Sequence, residues 1–313
     1  MKRRDFLKNT LPAGIMLPSL VSGFSFKVFG ASSVFAAALQ MQVEQNDHIL
    51  VIIQLNGGND GLNMVVPIEN FANYVNARSN IFIPENKVLK LTGVDKAGLH
   101  PAMTGLQSLY NEGKLNIIQS VGYPQPSFSH FRATDIWMSA SDSNTVVNSG
   151  WAGRYLDYQY PNFPTGYPNA NMKDPLAIQI GSATSLTMQG PAVNMAMSIS
   201  NPNNFYNLIN GVQDPAPATP AGKELTYIRQ VTQQTQQYAS VIKDAAAKVP
   251  TQVSYPGNNT LADQLKIVAR LIKGGLKTRV YMVSIGGFDT HATQVNTNDT
   301  TTGTHATLLG RVS

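Results

Sequence analysis

Cysteine is absent from all 313 residues. That excludes disulfide bridges, a lipid anchor on an N-terminal cysteine, thiolate metal ligands and a cysteine nucleophile. Any metal must therefore be held by oxygen and imidazole. A long uninterrupted apolar run is missing too. The uncharged stretch from Asn9 to Phe26 is loosened by Pro12, Gly14, Pro18 and Gly23, and Lys27 ends it. A spanning helix needs about 20 predominantly apolar residues, so no stable membrane span is expected. Internal repeats and a G-x-S-x-G nucleophile elbow are also lacking, and the latter argues against a metal-free serine hydrolase.

The N-terminus reads Lys2-Arg3-Arg4-Asp5-Phe6-Leu7-Lys8. An arginine pair followed by an acidic residue and Phe-Leu-Lys is the basic region of a twin-arginine signal. Ala36-Ala37-Ala38 offers a small-residue cleavage site. The expected organisation is a signal peptide over residues 1–38 and a mature α/β domain over 39–313, with a helical insertion at 222–277. The twin-arginine translocase is the implied partner, and the periplasm or the outside of the cell the implied destination. The alternative is an uncleaved N-terminal anchor, which Lys27 disfavours. The chain totals 23 basic and 18 acidic residues; setting aside Lys2, Arg3, Arg4, Lys8, Lys27 and Asp5 leaves 18 and 17. The mature protein is nearly neutral, so its basic pI gives no reason to expect nucleic-acid binding.

Four short β-branched runs predict strands: His48–Leu55, Leu115–Val121, Pro175–Ile180 and Arg279–Ile285. Several are apolar on both faces, as in a parallel sheet covered by helices. Helical patterns cover Pro101–Asn111, Phe128–Ala140, Trp151–Tyr160, Leu225–Val249 and Leu261–Lys277, whereas Tyr160–Lys173 and Gln213–Gly222 read as loops. The alternation predicts a doubly wound α/β fold. Thr304–Ser313 begins an amphipathic helix with no terminating signal, so its apolar face is expected to lack a partner and the chain to be truncated there.

One plan occurs twice. Ile52 to Gly61 (IIQLNGGNDG) and Val283 to His291 (VSIGGFDTH) each run from an apolar strand through Gly-Gly to an aspartate. Ligands of open parallel sheets bind beyond the carboxyl ends of the strands. Paired glycines turn the backbone sharply enough to aim the next carboxylate there. Asp60, Asp289 and His291 so delivered form a set suited to a divalent cation such as zinc or manganese. Equally, Asp60 and Asp289 are residue types that cap turns and helices. Ser129 and His130 open the Phe128–Ala140 helix, where backbone N–H groups favour an anion. Ser129 is a nucleophile candidate, or else Ser127 or Ser129 is an ordinary N-cap. His48 and His100 read as structural or exposed, and His305 as a supporting or exposed residue. Trp137 and Trp151 are expected to pack in the core or over the rim of the site.

These stretches resemble a family of exported bacterial proteins, the domain of unknown function 1501, within the alkaline phosphatase and sulfatase-like superfamily. The likeness runs through the twin-arginine start, LNGGNDGLNMVVP (Leu55 to Pro67), HPAMTGLQSLYNEGKL (His100 to Leu115) and SFSHFRATDIW (Ser127 to Trp137). It continues through GWAGRYLD (Gly150 to Asp157) and GGFDTHATQ (Gly286 to Gln294). The resemblance implies an alkaline-phosphatase-like sandwich with a mostly parallel central sheet flanked by helices. It implies Asp60, Asp289 and His291 as metal ligands and places Ser129 near the nucleophile or anion position, with His130 beside it. The expected activity is metal-dependent hydrolysis of small anionic esters, phosphate or sulfate. The alternative is a non-catalytic binding or assembly protein on the same fold. Two later family motifs, Ser-Glu-Phe-Gly-Arg and Gly-Thr-Asp-His-Gly, do not occur before Ser313.

Overall fold

A computed structural model describes residues 48–200, 219, 237–250 and 253–313. The predicted signal peptide, residues 225–236 of the predicted Leu225–Val249 helix and nearly all of the Gln213–Gly222 loop lie outside these residues. The chain divides into two units, the first of Met1–Ile52, Tyr123–Val253 and Lys266–Val283, the second of Ile53–Gly122, Ser254–Leu265 and Ser284–Ser313. Among the described residues no helix is long and apolar enough to cross a membrane.

The fold is mixed α/β, with a mostly parallel four-stranded sheet flanked by helices. The sheet is ordered β1-β7-β5-β6, from β1 (Leu50–Leu55), β5 (Ala177–Ile180), β6 (Ala196–Ile199) and β7 (Val280–Ile285). Strand β5 runs parallel to β6 from Ala177↔Ala196 to Ile180↔Ile199, and parallel to β7 from Ala177↔Val280. β1 and β7 cross from the first unit into the second along their length. The first five residues of β7 are apolar or fully covered except Ser284, which is why no period-two alternation marks it.

In the first unit the core gathers Ile52, Leu156, Leu176, Ala177, Met188, Met195, Val280 and Met282. Of the helices expected from sequence in this unit, those at Phe128–Ala140 and Trp151–Tyr160 both form. Helix α4 (His130–Ser139) is closed by Ala140 in the left-handed conformation, and α5 (Trp151–Gln159) buries Ala152 and Leu156. Gly153 lets α5 pack tightly, because a Cβ there would lie 2.2 Å from the Gln189 carbonyl oxygen. Trp151 packs against this core, whereas Trp137 stays partly exposed. Helical residues 237–247 bury Tyr238, Ile242, Ala245 and Ala246, the spacing of one helix face.

The second unit holds a small antiparallel sheet, ordered β2-β4-β3, from β2 (Val65–Val66), β3 (Leu89–Leu91) and β4 (Val94–Leu99). It packs with α1 (Gly61–Met64) and α2 (Phe71–Ala77) around Val66, Tyr74, Ile83 and Val88. Helix α3 is Thr104–Asn111. Helix α6 (Thr260–Lys273) starts at Asn259, whose Oδ1 accepts from the N–H groups of Leu261 and Ala262.

Two expectations need correction. Leu115–Val121 forms no strand: Ser120 takes φ +56°, which breaks an extended run, and Ile118 and Val121 are 75% and 80% exposed. β-branched residues make a strand only where a partner strand and a covering face exist. The apolar face of α7 (Thr304–Val312) is not left open either. Leu308 and Leu309 are buried, and Leu308 lies over Gly287.

Candidate functional site

Beyond the carboxyl ends of β1 and β7, the two Gly-Gly loops pair with each other. Asn56 donates its N–H to the Ile285 carbonyl at 2.8 Å, and Phe288 returns one to the Asn56 carbonyl at 3.1 Å. Gly57 has φ +110° and Gly287 +96°. A Cβ on Gly57 would lie 2.5 Å from the Asp289 amide nitrogen, so only glycine admits this approach. The repeated motif is therefore a structural pair, one loop shaping the other at the backbone.

The two aspartates that follow have different environments. Asp60 is the N-cap of α1, accepting from the Asn63 N–H at 3.2 Å. Its other oxygen is engaged by the Arg78 guanidinium and by the Gln294 side-chain amide. Side-chain exposure is only 12% for Asp60 and 20% for Arg78, so this is a largely desolvated ion pair that joins the β1 loop, the end of α2 and the β7 loop. Close by, the fully buried Asn63 donates to the Ile81 carbonyl at 2.7 Å and accepts from the Tyr74 hydroxyl at 2.7 Å. The Tyr74 oxygen in turn accepts from the Ile83 N–H.

Asp289 and His291 face water. His291 Nε2 and Asp289 Oδ1 are 2.8 Å apart, with side chains 77% and 45% exposed. His291 begins a short 3-10 turn with φ +42°. Among the described residues, Asp60, Asp289 and His291 do not bring their ligand atoms within 4.8 Å of one another. Asp289 and His291 are the exposed pair of the motif, while Asp60 is engaged by Arg78 and Gln294.

Ser129 and His130 belong to the first unit. Ser129 is the N-cap of α4: its Oγ accepts from the Arg132 N–H at 3.4 Å, and its own N–H donates to Ser127 Oγ. His130, the first residue of that helix, is exposed.

His100, read from sequence as structural or exposed, and His305, read as supporting or exposed, are both buried at 1% exposure in the second unit. Their rings lie 6.0 Å apart, edge to face, and Phe288 packs on His305 at 6.2 Å. His305 Nε2 is 3.0 Å from Asn59 Oδ1, and His100 Nδ1 accepts from the Ala102 N–H at 3.1 Å. Burial holds the His100 imidazole down to about 4, with His305 adding to the effect and Asp60 opposing it. Burial also lowers His305, against Asp60 and with Arg78. Of the residues that build this region, Arg78 and Tyr74 carried no sequence signal, Asn63 and Gln294 lay inside the resembling stretches with no role assigned, and Asn59 sat inside the repeated motif.

Comparison of the chain with protein-family models, with curated proteins and with solved structures returned no match.

Proposed function

We propose that the protein is an exported, metal-dependent hydrolase of phosphate or sulfate esters, of the alkaline-phosphatase-like kind its motifs resemble. The observation that carries this reading is the pairing of the two Gly-Gly loops beyond the carboxyl ends of β1 and β7, which presents Asp289 and His291 to solvent. The donor set suits zinc or manganese. A carboxylate and an imidazole on one such ion stand roughly 3.0–3.4 Å apart at bond lengths near 2.1 Å. The observed 2.8 Å needs only a small adjustment. A bound ion would act as a Lewis acid toward the ester oxygen. Asp60 does not bind metal in this reading; it fixes the loop through Arg78 and Gln294. Ser129 is the candidate nucleophile, with His130 beside it in the chain, and would give up its N-cap bond to attack. Delivery by the twin-arginine translocase to the periplasm or beyond belongs to the same proposal and rests on residues 2–38.

A non-catalytic binding protein is the second reading. The engagement of Asp60 by Arg78 and Gln294 favours it, because that removes Asp60 from the expected ligand set. Elemental analysis of the purified chain, with assays on p-nitrophenyl phosphate and p-nitrophenyl sulfate, separates the two. The hydrolase reading expects zinc or manganese that is lost in Asp289→Ala together with turnover. Turnover that survives Ser129→Ala would leave water as the nucleophile. A folded, metal-free protein that turns over neither ester overturns the hydrolase reading in favour of the second.

A further inference from the structure

We propose that the buried His100–His305 pair is an acid-sensitive latch, which holds the β1 loop to α7 while both rings are neutral and lets go when His100 takes up a proton. Three observations carry this. First, His100 Nδ1 already receives a hydrogen bond from the Ala102 N–H at 3.1 Å. A protonated imidazole is a donor at both nitrogens, so that contact would become donor against donor. Second, both rings are buried and in edge-to-face contact at 6.0 Å, so a charge on either is desolvated and set against the other. Third, the pair spans three separate stretches of chain. His100 follows β4 and receives its position from its own N–H, donated to the Met64 carbonyl at 3.1 Å. His305 lies in the first turn of α7, donating its N–H to the Gln294 carbonyl, and its ring meets Asn59 of the β1 loop.

The charged groups facing the pair offset a proton there only in part. Among the described residues Asp60, from the β1 loop, is the one carboxylate acting on the two rings, and it is already paired with Arg78 from the end of α2. Arg78 itself acts against a charge on His305. The lowered value of His100, about 4, agrees with this geometry.

The sign follows from linkage. A histidine that titrates lower in the folded chain than in the unfolded one contributes its full stability above about 6.5. That contribution is lost as pH falls toward about 4. The test is urea unfolding of the whole chain at pH values from 7.5 to 4, comparing the wild type with His100→Asn. Asparagine at this position can still accept the Ala102 N–H, as in an Asx turn, but does not titrate. The unfolding constant of the wild type should rise by about 150-fold more than that of the variant across this range. His305→Gln, which retains a donor for Asn59, serves if the first variant does not fold and should flatten the same slope in part, since the burial of His100 remains. Imidazole NMR of the wild type supplies the second readout, with the His100 resonance still neutral at pH 5.5. Titration of His100 near 6.5, or equal pH slopes in wild type and variants, overturns the proposal.

Discussion

Gly57 shows how much can depend on a missing side chain. Its φ of +110° and the 2.5 Å approach of a Cβ to the Asp289 amide nitrogen oppose any other residue. Gly57→Ala should cost about 2–3 kcal/mol of stability in urea denaturation, from backbone strain together with the separation of the two loops. Tyr74 is a second case. Removing its hydroxyl in Tyr74→Phe strands buried Asn63 Oδ1 and the Ile83 N–H, which should cost about 1–3 kcal/mol in the same measurement. Asp60 and Asp289 look equivalent in the motif but should behave differently. Asp60→Asn should lower stability, by weakening the Arg78 pair, and leave metal content unchanged. Asp289→Ala should do the reverse. Elemental analysis beside denaturation decides the point, and metal loss in Asp60→Asn would return Asp60 to the ligand set.

At the scale of elements, helix ends were legible because their chemistry is local. Ser129 reads as a cap and is one; Gly113, with φ +71°, follows α3 as a stop signal should. Asn259 has a larger part, capping α6 through Oδ1 while its Nδ2 donates to the Arg311 carbonyl near the end of α7. Asn259→Ala should therefore cost about 1–2 kcal/mol, more than an isolated cap, measured as a lowered denaturation midpoint. Strands were legible only where they were long and apolar. β1, β5 and β7 fall within expected runs, but β2 has two residues and β3 three, too few for a pattern to show. β4 reads Val-Asp-Lys-Ala-Gly-Leu and is held by its two neighbours, not by its composition. Leu115–Val121 is the converse, a run with strand composition and no partner strand among the described residues.

For the whole molecule, export is the part of the proposal that lives in sequence alone. Replacing Arg3 and Arg4 by lysine should keep the protein inside the cytoplasm, read by cell fractionation; unchanged export would remove the twin-arginine assignment. The sequence by itself determined the absence of thiol chemistry, the α/β class and the Gly-Gly-x-Asp plan, because composition, periodicity and turn residues act over a few neighbours. Only the tertiary structure decided which carboxylate stays accessible. Asp60 meets Arg78, 18 residues on, and Gln294, 234 residues on. Asp289 instead meets its near neighbour His291, in water. It likewise took the folded chain to bring His100 beside His305 and to cover both. Burial and long-range pairing set what a titratable side chain can do, and neither is written in the residues adjacent to it.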